Sequence, residues 1–115
     1  MQLMEMEQTA AHVSGLLKLL SHRERLMALC NLAQGEMAAG ALAEEVGMKP
    51  PAMSQQLAIL RREGIIASRR DGQTIYYRID NDDAVAIMGF LYERFCGDDA
   101  KGGASSKVLA EAGAQ

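Results

Sequence analysis

The sequence is poor in the residue types on which most metal and redox sites depend. It contains two cysteines and two histidines in 115 residues, and the cysteines, Cys30 and Cys96, lie far apart. No C-x-x-C pair is present, which argues against both a thioredoxin-type redox enzyme and the usual zinc knuckle. Nothing else in the chain suggests catalysis, so we expect no catalytic residues and no enzyme activity.

Long apolar runs are also absent. No apolar segment approaches the ~18 residues needed to span a bilayer, and the N-terminal segment MQLMEMEQTAAH carries acidic residues where a secretory signal would carry basic ones. We therefore expect a cytoplasmic protein without membrane contact, whose cysteines are reduced thiols at rest. The length fits one domain, and a protomer this small often completes its core against a second copy.

Charge is unevenly distributed along the chain. The formal net charge is −3, but the segment from Lys49 to Arg78 contains six basic and two acidic residues, a local balance of +4, so the remainder sums to −7. A basic stripe on an acidic body is compatible with binding a phosphate backbone, because the local field steers a ligand. A solvated charged hairpin is the alternative interpretation.

Hydrophobic spacing predicts a mainly α-helical chain with a two-stranded β wing. The predicted helices run from about Glu7 to Leu20, from a Ser21-x-x-Glu24 capping box to about Gln34, from Ala39 to Val46, from Lys49-Pro50-Pro51 to about Glu63, and from Asn81 or Asp82 to about Cys96. Strands are predicted at about 65–70 and 73–79, on either side of the turn signal Asp71-Gly72. This order is that of a winged helix-turn-helix, which we expect to span residues 1–97. The composition of residues 98–115 predicts a disordered tail.

Apolar positions at helical spacing define the predicted buried stripes. They are Val13, Leu16, Leu17 and Leu20 in the first helix, Met53, Leu57 and Leu60 in the fourth, and Val85, Met88, Tyr92 and Cys96 in the last.

Polar and basic side chains of the fourth helix and the hairpin are the candidate DNA-binding residues. Glutamine can pair with adenine in the major groove, and serine can bond to bases or phosphates. A lysine and free amides at a helix start are placed to meet a phosphate. The candidates are Lys49, Ser54, Gln55, Gln56, Arg61, Arg69, Arg70 and Gln73. Each is weak alone, because a polar helix face also explains S-Q-Q, but their combination favours double-stranded DNA as the partner.

The segments SHRERLMAL and LAEEVGMKPPAMSQQLAILRREGIIASRRDGQTIYYRI closely resemble the ArsR/SmtB family of bacterial winged-helix repressors. The resemblance covers about residues 13–96 and is most specific in S-Q-Q-L-x-x-L-R-x-x-G-I-I. It implies a homodimer built on the first and last helices that binds an inverted repeat in an operator. Lys49 departs from the pattern, since relatives more often place a serine-like helix cap there.

Many relatives sense metal ions, but this chain lacks the ligands at the two usual sites. The helix before the turn, MAAGALAEEVG, contains no Cys or His, and the last helix, DDAVAIMGFLYERFC, contains no His. Asp82 and Asp83 alone would make a poor transition-metal site, because imidazole or thiolate normally supplies the affinity. His12 and His22 lie far upstream, and we interpret His22 as an exposed residue of the capping box. We therefore expect no metal site and no cofactor.

Cys30 and Cys96 have two interpretations. Cysteine behaves as a small hydrophobe, and both residues lie on apolar stripes. The resemblance points elsewhere, because cysteines ending L-M-A-L-C and L-Y-E-R-F-C match the persulfide- and polysulfide-sensing branch of the family, the SqrR/BigR type and the similar HlyU regulators. It implies that persulfides or polysulfides join the two sulfurs and release the operator. The alternatives are a repressor that holds arsenite or another thiophilic ion, which would need a third soft ligand, and a constitutive DNA-binding regulator with inert cysteines.

Overall fold

The computed structural model describes residues 2–95, which form five helices and three strands. The helices are α1 (Leu3–Leu20), α2 (Arg23–Leu32), α3 (Ala39–Val46), α4 (Pro50–Arg62) and α5 (Asp82–Phe95), and the strands are β1 (Met37–Ala38), β2 (Ile66–Asp71) and β3 (Thr74–Ile79). The winged helix-turn-helix predicted from the sequence is confirmed. The predicted domain end at residue 97, the tail and Cys96 lie outside the described residues.

The sheet has one strand more than the sequence predicts. Its three antiparallel strands lie in the order β1-β3-β2, and Met37 of β1 pairs with Tyr77 of β3. A two-residue strand is too short to show alternating hydrophobicity, and only its pairing with β3 defines it.

The hairpin turn is one residue further along than the predicted Asp71-Gly72. Asp71 pairs with Thr74, so the loop consists of Gly72 and Gln73. Gly72 has φ 66°, and no residue other than glycine within residues 2–95 has a positive φ. Positive φ at the first central position alone is the type II′ pattern, which favours glycine there.

The core is built from one face of every helix and the start of β2. Its buried apolar residues are Leu16, Leu20, Ala28, Leu29, Leu32, Leu42, Ala43, Val46, Met53, Leu57, Leu60, Ile65, Ile66, Ala84 and Met88. The predicted stripe of the fourth helix is therefore confirmed. It fixes the orientation of α4 and leaves its polar face outside.

The predicted stripes of the first and last helices are only partly right. Leu16, Leu20 and Met88 are buried, but Val13 and Leu17 of α1 are 40% and 49% exposed, and Val85 and Tyr92 of α5 are 52% and 43% exposed. In each of these two helices the predicted positions form one band, and only one edge of that band meets the protomer's own core. Helical spacing identifies the apolar positions, but it does not say which of them that core covers.

The predicted capping box at Ser21 is wrong. Helix α2 begins at Arg23 after His22, which makes no side-chain cap hydrogen bond. Ser21 instead ends α1, and its hydroxyl donates to the Lys18 carbonyl at 2.9 Å, because the carbonyls of the last helical turn are the nearest groups in need of a donor. His22 is half-buried rather than exposed, and its Nδ1 is buried without a hydrogen bond within residues 2–95.

Three other predicted helix boundaries are confirmed, whereas α1 begins at Leu3, before the predicted Glu7. Gly47 follows α3 in the left-handed conformation, with φ 78°, and Gly64 follows α4 with φ 77°. The Asn81 Oδ1 accepts a hydrogen bond from the Ala84 amide at 2.9 Å, so Asn81 caps α5. Of the helices formed by residues 2–95, none has the length and apolar character needed to cross a membrane.

Candidate nucleic-acid interface

Helices α3 and α4 pack together across a short turn that begins with Gly47. The Gly47 and Met48 amides both donate to the Ala43 carbonyl, each at 2.9 Å, which closes the end of α3. Lys49 then leads into α4 without a side-chain cap, and prolines occupy its first two positions. Because proline has no N–H, the free amides predicted at this helix start are reduced to those of Lys49 and Ala52. The Lys49 side chain is therefore the stronger candidate for a phosphate contact.

The polar candidates on α4 lie on different sides of the helix. Ser54 and Gln55 are exposed, whereas Gln56 is half-buried. On the side toward the wing, the Arg61 Nη1 donates to the Ser68 Oγ of β2 at 3.2 Å. On the other side, the Gln56 Oε1 accepts a hydrogen bond from the Arg25 Nη1 of α2 at 3.0 Å. Sequence reasoning missed Arg25, because a partner 31 residues away leaves no local signal.

The three wing candidates differ in the contacts that their side chains make. Arg70 and Gln73 are exposed, and their side chains make no hydrogen bond within the described part of the chain. The Arg69 guanidinium instead donates to the Glu36 carboxylate, from Nη2 at 2.7 Å and from Nε at 2.9 Å. The same guanidinium stacks over the Tyr76 ring, 4.5 Å from its centre. Arg69 therefore ties the wing to the segment before β1, and Arg70 and Gln73 are the side chains presented outward.

This ion pair changes the acidity of both partners. The hydrogen bonds from Arg69 lower the pKa of the Glu36 carboxyl; burial opposes this effect, and the positive charges of Arg69 and Arg78 reinforce it. The same hydrogen bonds raise the pKa of Arg69. Because the folded-state pKa of Glu36 lies below its unfolded value, the stabilisation by this pair is present above the unfolded pKa. It is lost as the pH falls through the folded pKa.

Replacing Arg69 by methionine is expected to raise the pKa of the Glu36 carboxyl, because its hydrogen-bond donor and nearest positive charge are both removed. A titration of the side-chain carboxyl carbon by NMR measures this shift. Arg70→Met is the matched control, since adjacent strand residues point to opposite faces of the sheet, and it should leave the Glu36 titration close to that of the wild type. Identical Glu36 curves for wild type and Arg69→Met would contradict the pairing.

Cys30 lies in the last turn of α2, half-buried against the core. Helix α2 packs on α5, whose described part ends at Phe95. The helix that carries Cys30 is thus in contact with the helix that immediately precedes Cys96 in the sequence. Cys96 itself lies outside the described residues.

His12 lies beside α5 despite its distance from α5 in the sequence. Its Nε2 is 3.2 Å from the Asp83 Oδ2, and both side chains are about two-thirds exposed. The fold therefore brings together a histidine and an aspartate that lie far apart in the sequence. Within residues 2–95, however, no group of three or more His, Cys, Asp or Glu side chains is placed to hold a metal ion.

Two further surfaces are apolar and uncovered in the protomer. Along α1, the exposed residues Leu3, Met6, Ala10, Val13 and Leu17 follow an alternating spacing of three and four. This spacing places them on one stripe, which adjoins the face that carries Leu16 and Leu20. On α5 the exposed large apolar residues are Val85, Phe90, Tyr92 and Phe95.

Comparisons with known proteins agree with this geometry. Residues 22–68 match a family model described as bacterial regulatory protein, arsR family. The chain is 41% identical over 95 residues to the biofilm growth-associated repressor of Xylella fastidiosa strain 9a5c, covering 83% of each chain. The structure of reduced HlyU from Vibrio cholerae N16961 superposes with a TM-score of 0.79 at 34% identity, covering 82% of this chain and 99% of that one. The homodimeric winged helix-turn-helix DNA-binding domain of Mb0332 from Mycobacterium bovis gives a TM-score of 0.68 at 30% identity, covering 86% and 90%.

Proposed function

This protein belongs to the ArsR family and is a transcriptional regulator, and from that premise we propose that it is a homodimeric repressor with a dithiol sensor. It binds an inverted-repeat operator in double-stranded DNA, and it releases the operator when persulfides or polysulfides join Cys30 and Cys96 through sulfur. The observation that carries the DNA-binding part is the exposed polar face of α4, which lies beside a wing with an outward arginine.

The DNA contacts divide between the helix and the wing. Helix α4 presents Ser54 and Gln55 outward while its opposite face is locked into the core, which suits a helix that enters the major groove. Lys49 at the helix start and Arg70 at the wing are exposed cations that reach phosphates. Arg61 links the helix to the wing through Ser68, so the two elements approach DNA as one unit.

Dimerisation is supported by the uncovered apolar stripe on α1. A stripe with alternating spacing of three and four is the pattern by which helices pair, and α5 carries further exposed apolar residues. The similar Mycobacterium bovis domain is described as homodimeric. A two-fold dimer presents two α4 helices to two half-sites of an inverted repeat.

The sensing step is thiol chemistry driven by the inducer. The thiolate of one cysteine attacks a sulfur of the polysulfide, forms a new S–S bond and expels the shortened polysulfide anion, which leaves a cysteine persulfide. The thiolate of the other cysteine attacks the Sγ of the first cysteine and expels the outer sulfur as hydrosulfide, which closes a disulfide. If the first cysteine carries two or more added sulfurs, attack on the one attached to its Sγ expels the rest of the chain and retains one extra sulfur in the bridge. The two thiols lose two electrons, and the departing sulfur anions carry them away.

The contact between α2 and α5 supports an intramolecular bridge. A direct disulfide needs α-carbons within about 7 Å, and an extra sulfur in the bridge relaxes that limit. A bridge would tie α2 to the end of α5, a helix with an uncovered apolar surface, and would thereby change the separation of the two α4 helices that the half-sites require. A coupling of about 1–3 kcal/mol corresponds to operator binding weakened roughly 5- to 150-fold.

Polysulfide treatment of the reduced dimer is expected to weaken operator binding roughly 5- to 150-fold, measured by fluorescence anisotropy of a labelled operator at fixed salt. Cys30→Ser should bind the operator as the reduced wild type does and should show no response, since serine preserves size but forms no bridge. Equal affinity of the wild type before and after treatment would refute the switch.

Mass spectrometry of the same samples separates the alternatives. A linked Cys30–Cys96 peptide pair, with or without additional sulfur, supports the dithiol sensor. A retained arsenic atom after arsenite treatment, together with loss of operator binding, supports an arsenite-responsive repressor instead. An unmodified protein after both treatments supports a constitutive DNA-binding regulator.

A further inference from the structure

Arg25 links three helices at the edge of the candidate DNA-binding surface. It is half-buried in the first turn of α2. Its Nε donates to the Leu19 carbonyl of α1 at 2.7 Å, and its Nη1 donates to the Gln56 Oε1 of α4 at 3.0 Å. The Leu19 carbonyl belongs to the last turn of α1, where no further helical amide is available to it. This contact anchors the guanidinium, so that Nη1 is held in place for Gln56.

The chemistry of the guanidinium determines how the Gln56 amide is turned. Arginine has five N–H donors and no acceptor, so the amide oxygen of Gln56 must face it and the amide nitrogen must point elsewhere. That nitrogen makes no hydrogen bond within residues 2–95. Within residues 2–95, the only side-chain nitrogen or oxygen atom that is both buried and without a hydrogen bond is the His22 Nδ1. The Gln56 amide nitrogen has no hydrogen bond and is not that atom, so it is in contact with solvent. Gln56 therefore presents a hydrogen-bond donor to the outside.

We propose that Arg25 is a positioning residue that fixes Gln56 as a hydrogen-bond donor toward a base edge and thereby sets the base preference at one position of each half-site. This inference rests on the proposed function, because it requires α4 to lie in the major groove. Gln56 is one of the residues predicted from the sequence to contact bases, and the structure adds the direction of its amide.

A donor at this position discriminates among the bases. Guanine offers two acceptors in the major groove and thymine offers its O4, whereas cytosine offers only the N4 amino donor. A fixed amide nitrogen therefore favours guanine or thymine and disfavours cytosine. Without Arg25 the amide is free to turn and offer its oxygen, which accepts from cytosine, and the preference disappears. Lysine cannot replace Arg25, because a single ammonium does not match the two separated acceptors as the planar guanidinium does.

The test is selection of bound sequences from a library in which both half-sites are randomised, followed by affinity measurements on single-base variants. The proteins compared are the full-length wild type, Arg25→Lys, Gln56→Met and Gln56→Glu. The methionine variant removes the amide at similar volume. The glutamate variant retains a partner for Arg25 but directs an acceptor outward. Thermal unfolding followed by circular dichroism checks that each variant is folded.

The wild type is expected to favour guanine or thymine over cytosine at one position by about fivefold, the lower end of a direct base contact. Gln56→Met and Arg25→Lys should both reduce the base preference at that position to less than about twofold and leave the preferences at the other positions unchanged. Gln56→Glu should shift the preference at that position to cytosine. A purely structural role of Arg25 predicts a different result, namely uniform weakening at every position, which would overturn the inference.

Two other outcomes would also overturn it, and they are distinguishable. If Gln56→Met loses the base preference but Arg25→Lys retains it, the role of Arg25 is refuted and the proposed function is left intact. A wild-type protein that enriches no sequence at all would refute the proposed function and this inference together.

Discussion

Replacing Val13 by glutamate is expected to convert the dimer to monomers and to weaken operator binding by about 10²- to 10⁴-fold. The magnitude is that of losing a second linked binding event, since a monomer engages one half-site and a dimer engages two. Size-exclusion chromatography with light scattering measures the first effect, and operator titration at fixed salt measures the second.

The position of Val13 on α1 explains why one substitution has so large an effect. Val13 lies within the exposed stripe formed by Leu3, Met6, Ala10, Val13 and Leu17, and 40% of it is exposed in the protomer. Pairing of two such stripes about a two-fold axis buries the stripe residues of both copies. A glutamate there would place a charge in each copy against apolar side chains, and a buried, unpaired charge is costly.

Gln8→Glu is the matched control on the same helix. It changes the net charge by the same amount as Val13→Glu, but Gln8 is exposed and lies about half a turn away from the stripe. It should leave both the dimer and operator affinity close to those of the wild type. A Val13→Glu protein that remains dimeric at micromolar concentration would refute the assignment of the stripe to the dimer interface.

The parts of the fold that were predictable are those that local chemistry determines. Pro50 and Pro51 mark the start of α4, Gly64 marks its end, and the apolar spacing between them identifies its buried face without knowledge of the rest of the chain. By contrast, β1 exists only because Met37 pairs with Tyr77, 40 positions later in the chain (77 − 37). The end of α1 at Leu20 was predicted correctly, but the capping motif did not reveal that the Ser21 hydroxyl would donate to the Lys18 carbonyl of α1 instead of capping α2.

The candidate site shows the same division. The sequence identified α4 and the wing as the surface with DNA-binding chemistry, and Ser54, Gln55, Arg70 and Gln73 lie exposed there. It did not reveal that Gln56 and Arg69 have protein partners, because Arg25 and Glu36 reach them only through the tertiary fold. Residue type therefore predicts what a side chain can do, and its long-range contacts decide which groups remain available to do it.

Replacing Leu57 by alanine is expected to lower the free energy of unfolding by about 2–5 kcal/mol, the usual cost of deleting a buried leucine side chain. Leu57 is 0% exposed and lies between Met53 and Leu60 on the face that holds α4 against the core. A loss of this size is a large fraction of the 5–15 kcal/mol by which a domain is typically stable, so the orientation of the DNA-binding helix depends strongly on this contact.

Chemical denaturation followed by circular dichroism measures the loss at Leu57, at one fixed protein concentration because dissociation of a dimer contributes to its unfolding. Leu57→Met is the matched control, since it conserves apolar volume and should cost less than about 1.5 kcal/mol. The difference between the two variants isolates the cavity left by alanine from the change of residue itself. A Leu57→Ala protein within about 1 kcal/mol of the wild type would mean that the core relaxes around the missing side chain. Helix α4 would then owe its position chiefly to contacts at its flanks, such as those of Gln56 with Arg25 and of Arg61 with Ser68.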